Sequence, residues 1–225
     1  MSAGPERGRD DGFRLPPDHA VATVGFLRPL SCQTRRRRFD LPLFGPPNID
    51  KLVAKGDLPG LVDALVYPGF WRVRRDAAVA LGQIGGAEDV EPLIDALEDL
   101  AASVRIAAIV ALGNIGGAAA IGPLSAALGS QAADIRKAAA DSLGQIGDPA
   151  AVEALMICLN DVSWSVRRAA AVALGRIGDP RAAGPLKAAF EDPDANVRRA
   201  VDDALAALGW RPNGQRTASQ VERPS

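Results

Sequence analysis

Along most of the chain, apolar residues recur at intervals of three and four. In the stretch 148–178, Val152, Leu155, Met156 and Leu159 mark one face of a helix. Asp148 is placed to cap it and Pro149 to open its first turn. After the turn Asp161-Val162-Ser163, a second helix is predicted over 164–177. It buries Val166, Ala169, Ala170, Ala173, Leu174 and Ile177, with Gly178 in the left-handed position past its end. Each helix of the pair is expected to run to roughly a dozen residues.

This pattern repeats. Val-Arg or Ile-Arg pairs stand at 73–74, 104–105, 135–136, 166–167 and 197–198, always 31 residues apart. Eight residues after each Val or Ile comes Leu-Gly-x-Ile-Gly, at 81–85, 112–116, 143–147 and 174–178. A degenerate fifth copy occupies 205–209. A period of this length marks stacked supersecondary units, because one helix pair cannot bury its apolar face alone. The predicted fold is therefore all-α: an α-solenoid (superhelix) of five stacked helix pairs with a short N-terminal capping helix. The units fall at about 57–85, 86–116, 117–147, 148–178 and 179–209. Asn48–Lys55 supplies the capping helix, and Trp210 covers the far end. Residues 1–46 are rich in Pro, Gly and Arg without helical period, and disorder is expected there, as in a flexible tail over 211–225.

Composition narrows the chemistry. Hydrophobic residues make up 48% and aromatics 4%, so the core must be aliphatic. One histidine, His19, and two cysteines, Cys32 and Cys158, are too few for a four-ligand zinc site. The cysteines match no ligand or redox spacing and read as thiols of a reducing compartment. Cys158 is expected to be a buried structural thiol. The net charge of −1 divides into +3 over residues 1–46, −6 over 47–210 and +2 over 211–225. The acidic repeat region argues against nucleic acid as the partner, including DNA held in a groove of the repeats. Arg35–Arg38 is a short basic run expected to be solvated. It follows the mildly apolar stretch 20–30 instead of preceding it, and Pro29 disfavours a lipoprotein-type site at Leu30-Ser31-Cys32, so a signal peptide is not expected. No apolar run is long enough for a membrane span, and a cytoplasmic location is expected. Of 26 basic residues 22 are Arg, consistent with a GC-rich, bacterial coding sequence. The paired acids Glu191-Asp192 and Asp202-Asp203 read as turn caps and solvated faces. The Gly pairs at 85–86 and 116–117 lack a following P-loop Lys.

The Asp-Pro pairs at 148–149 and 179–180, the five Val/Ile-Arg pairs and the Leu-Gly-x-Ile-Gly ends resemble the HEAT-like repeats first named from bilin lyases of phycobilisomes, over residues 48–210. The resemblance implies a solenoid whose second helices line the concave surface. It also implies an Asp six residues before each Arg, bonding along the stack. Asp99, Asp161 and Asp192 fit that role, with Arg167 or turn amides as the expected partners of Asp161. Ser130 and Tyr67 stand where two rungs are interrupted. Function is less constrained, since such repeats occur in bilin lyases, in deoxyhypusine hydroxylase and in proteins that only bind others. The hydroxylase needs several His-Glu metal pairs, and none is present. No cofactor is expected.

Comparing the units with one another isolates one varying stripe of the second helix, at i, i+3, i+7 and i+11. It reads Arg72, Arg75, Val79, Gln83; Ser103, Ile106, Val110, Asn114; Asp134, Lys137, Asp141, Gln145; Ser165, Arg168, Val172, Arg176; and Asn196, Arg199, Asp203, Ala207. Val79, Ile106, Val110 and Val172 are expected to face solvent, ringed by charge, as partner sites often are. Trp71 and Trp164 hold equivalent turn positions at the edge. The expected function is a protein-interaction scaffold that binds another protein or peptide through this groove without chemistry of its own. The alternative, carried by the resemblance, is a bilin lyase-type subunit handling a chromophore for a phycobiliprotein-like target.

Overall fold

The computed structural model describes residues 45–210, which are all-helical, with eleven α-helices and no strand among the described residues. Helix α1 (Ile49–Lys55) leads. The five pairs are α2 (Leu58–Leu65) with α3 (Trp71–Ile84), α4 (Val90–Asp95) with α5 (Ala102–Ile115), α6 (Ala118–Ala127) with α7 (Ala133–Ile146), α8 (Val152–Cys158) with α9 (Trp164–Ile177), and α10 (Ala183–Ala188) with α11 (Ala195–Ala207). The second helices have the expected length, 13 or 14 residues. The first helices are shorter than expected, six to ten residues, and three of the five open with a 3-10 turn. The Asp-Pro start explains the units that carry it. The Asp148 carboxylate accepts the Ala150 N–H at 2.8 Å and tightens Pro149–Ala151 before the α-helical hydrogen bonds begin at Val152. Gly147 and Gly178 take the left-handed conformation, at φ 75° and 73°.

Two leucine columns form the core. Leu93, Leu124, Leu155 and Leu186 descend through the first helices; Leu81, Leu112, Leu143, Leu174 and Leu205 descend through the second, all at most 1% exposed. The second helices stack directly on one another, α3 on α5, α5 on α7, α7 on α9 and α9 on α11. The first glycine of each Leu-Gly-x-Ile-Gly signature permits this. A Cβ at Gly82, Gly113, Gly144 or Gly175 would stand 2.6–2.8 Å from Ala111, Ser142, Ala173 or Ala204 of the next helix. The degenerate fifth copy carries Ala206 there, and α11 is the last helix among the described residues.

The Asp-Arg ladder bonds along the stack and takes the expected turn amide, but its arginine belongs to the preceding unit and not, as Arg167 would, to the Asp's own. Arg136 donates from Nε and Nη2 to both oxygens of Asp161, at 2.7 and 2.8 Å, across the unit boundary. Arg74 does the same to Asp99, and Arg167 to Asp192. The arginine of the Asp's own unit uses Nη1 instead on the main-chain carbonyl, as Arg167 does on Asp161 at 2.8 Å. Each carboxylate also accepts a turn N–H, that of Ser163 for Asp161. The guanidinium hydrogen bonds hold all three carboxyls below their usual pKa. For Arg105 the corresponding position in the next unit is Ser130; Arg105 donates only to the carbonyls of Asp99 and Leu100 and has no carboxylate partner among the described residues. At Tyr67 the interruption is without consequence, because α1 supplies no arginine to receive.

Both ends close as expected. Asn48 caps α1, and Ile49, Leu52 and Val53 pack on the core. Trp210 meets Phe190 edge-on at 6.1 Å, with the Lys187 ammonium 4.9 Å above its ring.

Candidate protein-interaction surface

The varying stripe lies on the side of α3, α5, α7, α9 and α11 that the first helices leave uncovered, and its members meet across unit boundaries. The Gln145 amide donates to the Asn114 carbonyl oxygen at 3.0 Å. Between α5 and α7 the surface dips into an open groove of about 460 Å³. Ile106, Val110 and Ala138 line it with Asp134, Lys137, Asp141 and Gln145.

The apolar members divide. Val79 and Val110 are each 44% exposed. Ile106 and Val172, expected to face solvent, are half-buried and pack against the core. They sit where consecutive second helices approach closely, so each neighbour covers part of the side chain. The charged members divide as well. Lys137 is paired with Asp141 at 2.7 Å, one helical turn away, and Arg75 with Asp76 at 2.6 Å. Arg72 and Arg75 place their guanidinium carbons 5.4 Å from the Trp71 ring centroid. Arg168, Arg176 and Arg199 are exposed and form no side-chain hydrogen bond or ion pair among the described residues. Trp71 and Trp164 are 39% and 48% exposed at the edge of this face.

A model of HEAT repeats matches residues 58–143, 90–171 and 121–206. The chain belongs to the HEAT-repeat family. No curated protein matches the sequence of this HEAT-repeat chain. Among solved structures, it is similar to the complex of CpcE and CpcF of phycocyanin lyase from Nostoc sp. PCC7120, with 27% identity and a TM-score of 0.62 over 69% of this chain and 66% of that one. The bilin-lyase type of HEAT-like repeat expected from the motifs is thus matched, although the chain spans slightly less than two thirds of that relative. A designed armadillo repeat protein in complex with the peptide (KR)4 shares the helical-repeat fold, with 22% identity and a TM-score of 0.54, covering 73% of this chain and 87% of that one.

A second surface feature of the HEAT-repeat chain escaped sequence reasoning. Where the first and second units turn, Leu65, Val66, Pro68, Trp71 and Leu100 line an open cleft of about 680 Å³ with Asp95 and Glu98 at its margin. The signal was present in the repeat register: Leu100 and Val162, each directly after a ladder Asp, are 98% and 93% exposed. Cys158 is buried, and burial is the main cause raising its thiol pKa, which suits the structural reading. Asp192 is a ladder residue, whereas Glu191, Asp202 and Asp203 are exposed. Among the described residues no cluster of His, Cys, Asp and Glu is arranged to hold a metal, and no helix is long and apolar enough to cross a membrane. His19, Cys32 and Arg35–Arg38 lie outside the described residues.

Proposed function

We propose that this HEAT-repeat scaffold binds a segment of another protein on the uncovered face of its second helices, without chemistry of its own. The supporting observation is the α5–α7 groove. It joins half-exposed Val110 to an apolar floor at Ile106 and Ala138, and rims them with charge from Lys137, Asp141 and Asp134. Binding energy concentrates where a few apolar groups are desolvated inside a polar rim. Val79 and Val110 are the substitutions of choice, since Ile106 also supports the core. Val79→Asp with Val110→Asp should abolish capture of the partner and leave helicity unchanged. Ile157, 75% exposed on the first-helix side, is the control. Retained capture by the valine variant together with loss in Ile157→Asp would transfer the working surface to the opposite side.

The likeness to a phycocyanin lyase complex favours a second reading, a subunit that handles a bilin for a phycobiliprotein-like target. Co-expression with a phycocyanin subunit and a bilin tests it. Covalent visible absorbance on the target, dependent on this chain, would support the lyase reading, and unmodified target would remove it.

A further inference from the structure

The uncovered face is electrically unlike the rest of the molecule. Its twenty stripe positions carry six cations and three carboxylates, whereas residues 47–210 together are net −6. The excess divides between the first unit, where Arg72 and Arg75 lie against Trp71 and Arg75 is paired with Asp76, and the fourth, where Arg168 and Arg176 have no ion pair among the described residues; the fifth unit adds Arg199 and Asp203. Arg168, Val172 and Arg176 stand at i, i+4 and i+8 on α9, one above the other. Arg199 holds on α11 the position that Arg168 holds on α9. Arg168 and Arg176 are about 12 Å apart along the helix axis, and neighbouring helices pack about 8–10 Å apart. Three guanidinium groups without an ion pair among the described residues are thus spaced about 10 Å apart on either side of half-buried Val172, whose position is held on α7 by Asp141, paired with Lys137, and on α11 by Asp203. A segment in the extended polyproline II conformation has about three residues per turn and advances about 3.1 Å per residue, so carboxylates three residues apart fall on one face at about 9 Å, close to that interval.

We infer that the α9–α11 part of this face docks an extended acidic segment of a partner protein, with Arg168, Arg176 and Arg199 as the charge contacts and Val172 as an apolar seat. This rests on the scaffold reading and gives its partner a class. The arginines are available for it. Each is exposed, none has an intramolecular carboxylate among the described residues, and a guanidinium takes a carboxylate in a two-pronged hydrogen bond. Nucleic acid, the other polyanion, is disfavoured by the acidic surroundings and by the absence of an aromatic residue among the twenty stripe positions.

Fluorescence anisotropy on the full chain tests this with a labelled twelve-residue peptide of repeating Glu-Val-Thr, its Lys-Val-Thr counterpart and a labelled single-stranded oligonucleotide. The acidic peptide should bind, and its Kd should rise roughly tenfold between 50 and 300 mM salt, as expected for exposed charge pairs. Arg168→Glu with Arg176→Glu and Arg199→Glu should weaken it by at least about tenfold. Lys51→Glu with Lys55→Glu and Arg181→Glu, an equal charge change on exposed residues elsewhere, should weaken it less than about threefold. Equal loss in both triple variants would reduce the effect to net charge and overturn the site. Tighter binding of the oligonucleotide would overturn the class. Binding of the basic peptide alone, or of no peptide, would overturn the inference while leaving the scaffold reading to the Val79/Val110 variant.

Discussion

At the residue scale the ladder carries the clearest energetic consequences. Asp161 serves Arg136 of the preceding unit through its carboxylate and Arg167 of its own unit only through its carbonyl. Asp161→Ala should therefore cost about 1–3 kcal/mol, because it strands a mostly buried guanidinium and the Ser163 N–H. A double-mutant cycle should show coupling to Arg136 and little to the side chain of Arg167; the reverse pattern would contradict the register. The sign of the pH effect follows from the depressed carboxyls of Asp99, Asp161 and Asp192. Their contribution is fully present above the unfolded carboxyl value of 3.8 and disappears as pH falls through the lower folded values. Urea midpoints should fall more steeply below about pH 4 in the parent chain than in Asp161→Asn. The missing rung yields the opposite experiment. Ser130→Asp offers Arg105 the acceptor its counterparts have, and should raise stability by about 1 kcal/mol, discounted for partial exposure. An unchanged or lowered thermal midpoint would show that the Arg105 guanidinium does not point toward that turn.

Elements are held by close approach of their backbones as much as by leucine. Gly144 faces Ala173 so closely that an added Cβ would sit 2.6 Å from its Cα and Cβ. Gly144→Ala should cost about 1–3 kcal/mol in spite of alanine's better helix propensity, because α7 and α9 must separate. Gly122, inside α6, has nothing within 4 Å of the same position, and Gly122→Ala should stabilise by up to about 1 kcal/mol. Both are read by chemical denaturation. Similar effects from the two would show that the second helices are not packed as tightly as described. Leu112, in the middle of the second column and fully buried, should cost about 2–5 kcal/mol on truncation to alanine.

For the whole molecule, nearest-neighbour stacking means that stability and binding surface grow together. The described helices close their own core, with α1 over one end and Trp210 over the other. A chain trimmed to residues 45–210 should therefore melt within about 2 °C of the full chain, because α1 and Trp210 remain to cover the two ends of the stack. A larger fall measured by calorimetry would show that the removed segments contribute burial. The face proposed for binding spans all five units, so substitutions at its centre and at its basic end should have separable effects. Val110 should control affinity through apolar burial, and Arg168, Arg176 and Arg199 the salt dependence.

Periodicity alone determined the all-helical stack, its five units, both end caps and the second helices from 164–177 outward, because a 31-residue recurrence of apolar positions admits one economical way to bury them. The ladder aspartates were legible for the same reason: a charge repeated in register must meet something repeated in register. Which arginine each one meets was decided only in three dimensions, since the partner is 25 residues away across a unit boundary and local spacing points to the wrong one. The purpose of the first signature glycine was likewise hidden, because it lies in contact with a helix one unit further on. The stripe was recognisable as a face, but not the division within it. Neighbouring helices cover Ile106 and Val172 and leave Val79 and Val110 half open. Asp141 neutralises Lys137, while Arg168, Arg176 and Arg199 have no ion pair among the described residues. Burial and charge pairing depend on what lies opposite a side chain, and that is a property of the packed stack.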